Sequence, residues 1–239
     1  NHPPPAKRRM AVPGRQLIVA DPRPIWQDNS HMSAYRYLFG PVPSRRLGRS
    51  LGVDLVPMKT CTLNCVFCQL GSTARCTLER REHVPIRDVL DELTRWLAGD
   101  GRADHITLAG SGEPTLHSRF GEVLDFAARS AAIPTALLTN GTLFHLPEVR
   151  AAAAGASIVK ISLSAWDQDS FERVNRPAPD VRLDRILEGC QAFRGIFKGQ
   201  LWMEVFLVPG VNTRPEDVAR IAALAGRISP DRVQLNTAI

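Results

Sequence analysis

The stretch Cys61-Thr62-Leu63-Asn64-Cys65-Val66-Phe67-Cys68 carries three thiols within eight residues, spaced C-x3-C-x2-C. A helix would not bring all three thiols to one point, whereas a loop would, so the spacing predicts a metal-binding loop. Cys76 and Cys190 are not placed at ligand spacing from this group. The stretch therefore offers three ligands and leaves one coordination position open.

Two kinds of metal centre compete for these thiols. Structural zinc normally fills all four tetrahedral positions, with repeated C-x2-C pairs or paired histidines, and the sequence has neither pattern. An iron–sulfur cubane that only carries electrons is held by four cysteines, so three cysteines leave one iron free for an outside ligand. From the spacing alone, a non-catalytic zinc-binding or other metal-binding module remains an alternative.

An aromatic residue stands directly before the last cysteine, and with it the stretch resembles the radical S-adenosylmethionine (radical SAM) superfamily. The resemblance implies that Cys61, Cys65 and Cys68 bind a [4Fe-4S] cluster, whose fourth iron is chelated by the amino and carboxylate groups of SAM. It also implies that Phe67 packs near the adenine. The electron would come from a donor such as a flavodoxin or a ferredoxin.

Composition places the chain among globular proteins, with 44% hydrophobic and 23% charged residues in 239. Its net charge of +6 fits a nucleic-acid partner, although proteins of many functions share such a balance. Five cysteines, three of them clustered, do not form a disulfide framework and favour a reducing compartment. No apolar run reaches the length of a membrane span, so we expect a cytoplasmic protein without a membrane partner.

Residues 1–34 are expected to be a disordered or appended extension. Prolines interrupt this stretch repeatedly, and the basic run Lys7-Arg8-Arg9 follows three of them, so no regular element is predicted there. A radical SAM core domain is predicted over residues 35–239. We expect it to be truncated at its C-terminal edge, because its sixth strand comes at the end of the chain.

Strands and helices alternate along the rest of the sequence, in units of about 25 to 35 residues that are typical of parallel βα repeats. Right-handed crossovers curl such a sheet into a full or partial barrel. The pattern resembles the radical SAM core, so the fold expected is an α/β (β/α)6 partial TIM barrel with parallel strands. Strands are predicted at 51–56, 105–109, 135–139, 157–164, 201–208 and 232–236, and helices at 86–97, 120–131, 147–154, 183–198 and 215–228.

A Gly/Pro/Arg-rich run, predicted to be a loop, precedes the first of these strands. The sequence G-P-V-P-S-R-R-L-G-R-S-L-G-V-D over residues 40–54 resembles a radical SAM branch that includes wyosine-type tRNA-modifying enzymes. Arg45, Arg46 and Arg49 are candidates for holding an anionic substrate or the SAM carboxylate through forked hydrogen bonds. Structural arginines in a solvated loop are the alternative.

Polar residues follow the strand ends, where the sites of parallel α/β barrels gather. Gly-Ser-Gly-Glu-Pro over residues 110–114 combines glycines, which permit close backbone approach, with a carboxylate that can accept bonds from an ammonium. It resembles the GGEP-like motif of the family, with Ser111 in place of the second glycine. The resemblance implies that Gly112, Glu113 and Pro114 bind the methionyl amino group of SAM.

Two further strand ends supply hydroxyls and an amide. Thr139, Asn140, Ser162 and Ser164 are candidates for the ribose and carboxylate of SAM by the same resemblance, and capping of loops is their structural alternative. Ser162 and Ser164 are two apart and share one strand face, as does Lys160. Charged residues further on face either substrate or solvent, and the large aromatic residues are predicted to be packing residues. These are Asp167, Glu172 and Arg176, and Trp166, Trp202 and Phe206.

The resemblance implies reductive cleavage of SAM to a 5′-deoxyadenosyl radical, which abstracts hydrogen from a substrate. Positive charge and the 40–54 run favour tRNA or another RNA as that substrate. A protein or a small metabolite is the alternative within the same enzyme class.

Overall fold

A seven-stranded sheet forms the centre of the computed structural model, which describes residues 35–73, 76–99 and 101–237. Its strands are hydrogen-bonded in chain order: β1 (Leu38–Ser44), β2 (Gly48–Val53), β3 (His105–Leu108), β4 (Thr135–Thr139), β5 (Ile158–Ser162), β6 (Gln200–Leu207) and β7 (Arg232–Thr237). Strands β2 to β7 are parallel, and β1 pairs antiparallel with β2. The extension predicted over residues 1–34 lies outside the described residues.

Helices connect the parallel strands, and all of those described except α4 lie where the sequence predicts a helix. They are α1 (Ile86–Ala98), α2 (Phe120–Ser130), α3 (Pro147–Ala153), α4 (Gln168–Asn175), α5 (Leu183–Ile196) and α6 (Pro215–Ile228). The predicted α/β (β/α)6 partial TIM barrel is confirmed. None of the helices in the described ranges is long and apolar enough to span a membrane.

Successive side chains of a strand point to opposite faces of the sheet, so the buried apolar residues form two clusters, one on each face. Residues on the outer face, such as Leu108 and Val159, are fully buried against the helices in one large core. Residues on the inner face form a small second cluster, in which Leu47 of the β1–β2 turn contacts Ala136, Ile158 and Trp202. This second cluster closes the lower part of the barrel, so the polar residues above it form the floor of an inner cavity.

The prediction of a loop before the first parallel strand is wrong in part, because residues 38–44 form strand β1. Proline and glycine lowered the strand signal, but an edge strand tolerates proline, since one of its sides needs no ladder bonds. The ladder to β2 shifts register between Phe39 and Val42, and the Gly40–Pro41 bond is cis. The first parallel strand accordingly begins at Gly48 rather than at Leu51.

Helix α4 was not predicted, because only a few of its residues are apolar. Its first turn is fixed by a capping box, in which the Asp167 side chain accepts from the Ser170 N–H and the Ser170 hydroxyl accepts from the Asp167 N–H. Its C-terminal residue Asn175 is followed by Arg176 in a left-handed conformation. Asp167 and Arg176 are therefore helix caps, and exposed Glu172 lies on the helix between them.

A charged network crosses the inside of the barrel and ties its two edges together. The Glu204 Oε1 on β6 accepts from Lys160 Nζ at 2.7 Å, from Arg46 Nη1 at 3.1 Å and from Asn236 Nδ2 at 2.8 Å. Arg46 belongs to the β1–β2 turn, and it also donates to Asn236 Oδ1 at 2.5 Å on β7. One carboxylate thus holds two cations, Lys160 from the neighbouring strand β5 and Arg46 from the turn at the far edge of the sheet.

We expect Glu204→Gln to lower the free energy of unfolding by about 2 to 3 kcal/mol, because Lys160 and Arg46 would face each other without an anion. The loss stays below that of a fully buried pair, since the Arg46 side chain is 30% exposed. Urea unfolding measures the change. Glu216→Gln is the matched control, because its pair with Arg214 has side chains 62% and 67% exposed and should contribute little to stability. Equal losses in the two variants would contradict the role given to Glu204.

Candidate functional site

The three clustered cysteines lie in the loop between β2 and α1, at the carboxyl end of the parallel strands. Their loop consists of turns, in which the Cys68 N–H donates to the Cys65 carbonyl at 3.1 Å and the Gly71 N–H donates to the Cys68 carbonyl at 3.0 Å. All three thiols are half-buried. The three cysteines therefore lie on a non-helical backbone, as the C-x3-C-x2-C spacing predicts.

Backbone hydrogen bonds hold this cysteine loop from two sides. On one side, the Lys59 N–H donates to the Ser111 carbonyl at 2.7 Å, and the Glu113 N–H donates to the Thr60 carbonyl at 3.0 Å. On the other side, the Asn64 N–H donates to the Asn175 carbonyl at 3.0 Å at the end of α4. The loop is therefore fixed to the ends of β3 and α4.

Gly112 is needed for this contact. A Cβ built at residue 112 would overlap the Thr60 carbonyl, which is backbone and cannot turn away. The glycine of the Gly-Ser-Gly-Glu-Pro motif therefore permits close approach of the cysteine loop. It also lines the cavity that is described below.

We expect Gly112→Ala to displace the cysteine loop and to destabilise the protein by about 1 to 3 kcal/mol, as overpacking against a fixed group does. Thermal unfolding of the purified variant measures this change. Gly195→Ala is the matched control, because a Cβ at that position in α5 meets no atom within 4 Å. In a helix that substitution should stabilise by up to about 1 kcal/mol. A Gly112→Ala protein as stable as the wild type would refute the steric role.

Each of the three sulfurs faces a side-chain nitrogen. Asn175 Nδ2 lies 3.1 Å from Cys65 Sγ, and Lys59 Nζ lies 3.2 Å from Cys68 Sγ. Asn140 Nδ2 lies 3.7 Å from Cys61 Sγ, while its shorter bond is to Thr62 Oγ1 at 2.8 Å. Nitrogen donors of this kind stabilise thiolates that carry a metal.

Burial favours the protonated thiols of Cys61 and Cys65. It raises the pKa of Cys61 to about 12 and that of Cys65 to about 11, and the amide of Asn175 opposes the second shift. Metal binding to these residues would have to release their protons. Within the described residues, no three His, Cys, Asp or Glu side chains are grouped closely enough to hold one metal ion.

Glu113 is a buried carboxylate that joins β3 to β4. Its Oε1 accepts from Thr115 N at 3.1 Å, Thr115 Oγ1 at 2.7 Å and Thr139 Oγ1 at 2.7 Å, and its Oε2 accepts from Asn140 N at 2.8 Å. Burial raises the pKa of Glu113, and these hydrogen bonds oppose the shift. The carboxylate thus positions Thr139 and Asn140, two residues that the sequence predicts for the site.

A cavity of about 280 Å³ opens beside the cysteines at the carboxyl ends of the strands. Most of the predicted site residues line it: Cys61, Cys65, Phe67, Gly112, Glu113, Thr139, Asn140 and Ser162. Cys68, Pro114 and Ser164 do not. Pro114 begins a short 3-10 turn, and the Ser164 hydroxyl accepts from the Phe206 N–H at 3.0 Å, which holds β5 against the end of β6.

Aromatic residues flank one side of the cavity. The ring of Phe67 stacks on that of Phe206, with centroids 4.3 Å apart and planes 7° from parallel. Trp166 and Trp202 are buried, as predicted for packing residues, whereas Phe206 is half-buried against Phe67. Phe206 therefore belongs to the rim of the site.

Several residues of the site carried no recognisable signal in the sequence. Asn175 and Glu204 line the cavity, and Lys59 contacts Cys68. Only the third of these could have been suspected, because it stands two positions before the first cysteine. The candidate arginines are not in the cavity lining. Arg46 binds Glu204 beneath it, and Arg49 pairs with Asp104 at the opposite end of β2.

Residues 55–224 match the family model described as the radical SAM superfamily. The chain belongs to the radical SAM superfamily. Members of this family typically bind a [4Fe-4S] cluster and SAM, which agrees with the three cysteines and the adjoining cavity.

The regions aligned with sequence relatives cover most of this chain but only part of each relative's length. The chain is 38% identical over 201 residues to a protein named GTPase Obg of Brachyspira hyodysenteriae, covering 84% of this chain and 30% of that protein. It is 34% identical over 203 residues to a UPF0026 protein of Methanocaldococcus jannaschii, covering 84% of this chain and 63% of that protein. A more distant relative is a probable dual-specificity RNA methyltransferase RlmN of Parasynechococcus marenigrum, 27% identical over 181 residues, covering 70% of this chain and 50% of that protein.

Solved structures share the fold at low identity. TYW1 with a lysine-pyruvate adduct bound aligns with a TM-score of 0.60 and 20% identity, covering 80% of this chain and 65% of that one. Streptococcus suis SuiB bound to precursor peptide SuiA aligns with a TM-score of 0.59 and 20% identity, covering 78% of this chain and 39% of that one. These likenesses support the partial-barrel fold.

Proposed function

We propose that the chain is a radical SAM enzyme whose Cys61, Cys65 and Cys68 ligate a [4Fe-4S] cluster. The observation that carries the proposal is the set of three half-buried thiols, each facing a nitrogen donor, beside a cavity at the carboxyl ends of the strands. When bound and reduced by one electron, such a cluster cleaves SAM to give a 5′-deoxyadenosyl radical.

The residues around the cavity have the chemistry that SAM requires. Glu113 offers a carboxylate, whose Oε2 accepts a single described hydrogen bond, to the methionyl ammonium. Thr139, Asn140 and Ser162 offer hydroxyl and amide groups to the ribose and carboxylate, and Gly112 exposes its backbone. Phe67 provides an apolar surface for the adenine. Pro114 and Ser164 lie behind these groups and support them.

In the proposed enzyme the barrel excludes water from the radical. The stacked rings of Phe67 and Phe206 shield one side of the cavity, and the inner cluster of Leu47, Ala136, Ile158 and Trp202 closes it from below. The reductant would be a flavodoxin or a ferredoxin, which must approach the cysteine loop. Val66 and Leu70 are exposed there, so an apolar contact is available.

The non-catalytic zinc module is the competing candidate. Structural zinc normally takes four ligands, and the sequence offers neither a repeated C-x2-C pair nor paired histidines beside the three cysteines. The name GTPase does not transfer from the relative that carries it, because the 239 residues contain no G-x-x-x-x-G-K-[ST] run.

We expect Cys61→Ala, Cys65→Ala and Cys68→Ala each to abolish assembly of a SAM-responsive cluster, because three irons need three thiolates. Anaerobic reconstitution, followed by iron and sulfide analysis, electron paramagnetic resonance with and without SAM, and an assay for 5′-deoxyadenosine, measures the effect. Cys76→Ser is the matched control, since Cys76 lies outside the C-x3-C-x2-C group and its Sγ makes a long contact, at 3.9 Å, to the Arg176 carbonyl. Tetrahedral zinc in the anaerobically purified protein, or an iron cluster indifferent to SAM, would overturn the proposed function.

For the substrate we propose an RNA, with tRNA as the first candidate. The net charge of +6 and the RNA methyltransferase among the relatives support this choice. A peptide or a small metabolite is the second candidate, supported by the low-identity match to SuiB with its precursor peptide. The paired Lys160 and Glu204 in the floor of the cavity would contact the substrate in either case.

If the substrate is RNA, we expect tRNA to bind with an affinity that falls about tenfold or more between about 50 mM and about 200 mM salt. That loss corresponds to release of counterions from two or three phosphates. Fluorescence anisotropy with labelled tRNA measures the slope, and a polyglutamate of similar charge tests for non-specific attraction. Binding that is absent at the lower salt, or equal for the two polyanions, would favour the peptide or metabolite alternative.

A further inference from the structure

Three nitrogen donors from three separate segments converge on the three clustered sulfurs. Lys59 comes from the cysteine loop itself, Asn140 follows β4, and Asn175 ends α4. Their nitrogens lie 3.2, 3.7 and 3.1 Å from the sulfurs of Cys68, Cys61 and Cys65. Each sulfur therefore faces one of these side-chain donors, and of the three only the donor that faces Cys68 carries a charge.

The backbone around Lys59 is arranged so that this cation reaches the sulfur. Lys59 has φ +62°, a left-handed conformation that a lysine rarely adopts. Its N–H is held by the Ser111 carbonyl at 2.7 Å, and its ammonium also donates to the Gly71 carbonyl. Strain of this kind in a non-glycine residue is typical of functional segments, where the surrounding structure imposes it.

Asn175 reaches its sulfur from a buried position. The residue is 5% exposed, and its carbonyl holds the Asn64 N–H in the cysteine loop. An amide buried in this way keeps a fixed distance to Cys65, and no solvent competes for its N–H. Asn140 is less specific, because its amide nitrogen also binds Thr62.

We propose that Lys59, Asn140 and Asn175 raise the reduction potential of the cluster, with Lys59 contributing most. The proposal rests on the proposed function, which places a [4Fe-4S] cluster on Cys61, Cys65 and Cys68. A one-electron reduction adds one negative charge to the cluster and its thiolates. Nitrogen donors and a nearby ammonium stabilise the reduced form more than the oxidised form, because they act on that added charge.

A purely structural role for Lys59 is the competing explanation, because its ammonium also fixes Gly71. The two roles differ in what they change. A structural lysine alters how much iron the loop retains, whereas a tuning lysine alters the potential at unchanged iron content. Lys59→Arg separates them further, because arginine keeps the charge and the N–H donors.

The test is a potentiometric titration of the reconstituted cluster, followed by electron paramagnetic resonance, with dithionite or a stronger one-electron reductant such as titanium(III) citrate. We expect Lys59→Met to shift the reduction equilibrium about tenfold toward the oxidised form, which is about 59 mV for a one-electron couple. Lys59→Arg should restore most of the potential. Asn175→Leu, which removes an uncharged donor, should shift the equilibrium about threefold in the same direction.

Lys198→Met is the matched control, since it removes the same charge from an exposed position after α5. Its potential should equal that of the wild type. An unchanged potential in Lys59→Met at full iron content would overturn the inference, and so would loss of iron from Lys59→Met alone, which would make the lysine structural. A wild-type protein without a SAM-responsive cluster would instead overturn the proposed function itself.

Discussion

The buried carboxylate of Glu113 holds the candidate site together. Its side chain joins the ends of β3 and β4 through bonds from Thr139 and Asn140, and its own N–H holds Thr60 just before the first cysteine. Gly112 permits the close contact between the two chain segments. A single Gly-Glu pair therefore positions the cysteine loop, the cavity wall and the donor that faces Cys61. An unpaired buried carboxylate would be costly, so these bonds also stabilise the arrangement that satisfies the residue.

The two faces of the sheet have different tasks, and this division explains which substitutions the fold tolerates. The outer face is apolar and packs against helices, so its residues determine stability through burial. The inner face carries a small apolar cluster below and charged or polar residues above. Lys160, Arg46 and Glu204 occupy the border between these layers. Their charges are stable there because each one has an opposite charge within hydrogen-bonding distance.

Much of this architecture could be predicted from local sequence patterns. Six parallel strands and five of the helices follow from apolar periodicity and from glycine and proline at their ends, and the cysteine spacing located the site. Edge strand β1 was missed because Pro41 and Pro43 resemble loop residues, and α4 because few of its residues are apolar. Asn175 and Glu204 were missed for another reason. Their roles come from contacts between segments distant in sequence, and such contacts leave no trace in any short window. Lys59 lies nine residues before Cys68, in the same loop, but its role depends on how that loop turns.

Cys65 and its donor Asn175 lie far apart in the sequence, so they are synthesised at different times. The donor to Cys65 is encoded 110 residues after that cysteine, so translation at about 5–20 residues per second delays its arrival by on the order of 10 s. During that interval the nascent polypeptide carries three exposed thiols whose anchoring helix has not yet left the ribosome. If these thiols take up iron, insertion at that stage would meet a loop without its anchoring helix, and loading after completion of the barrel would meet the loop in its folded position.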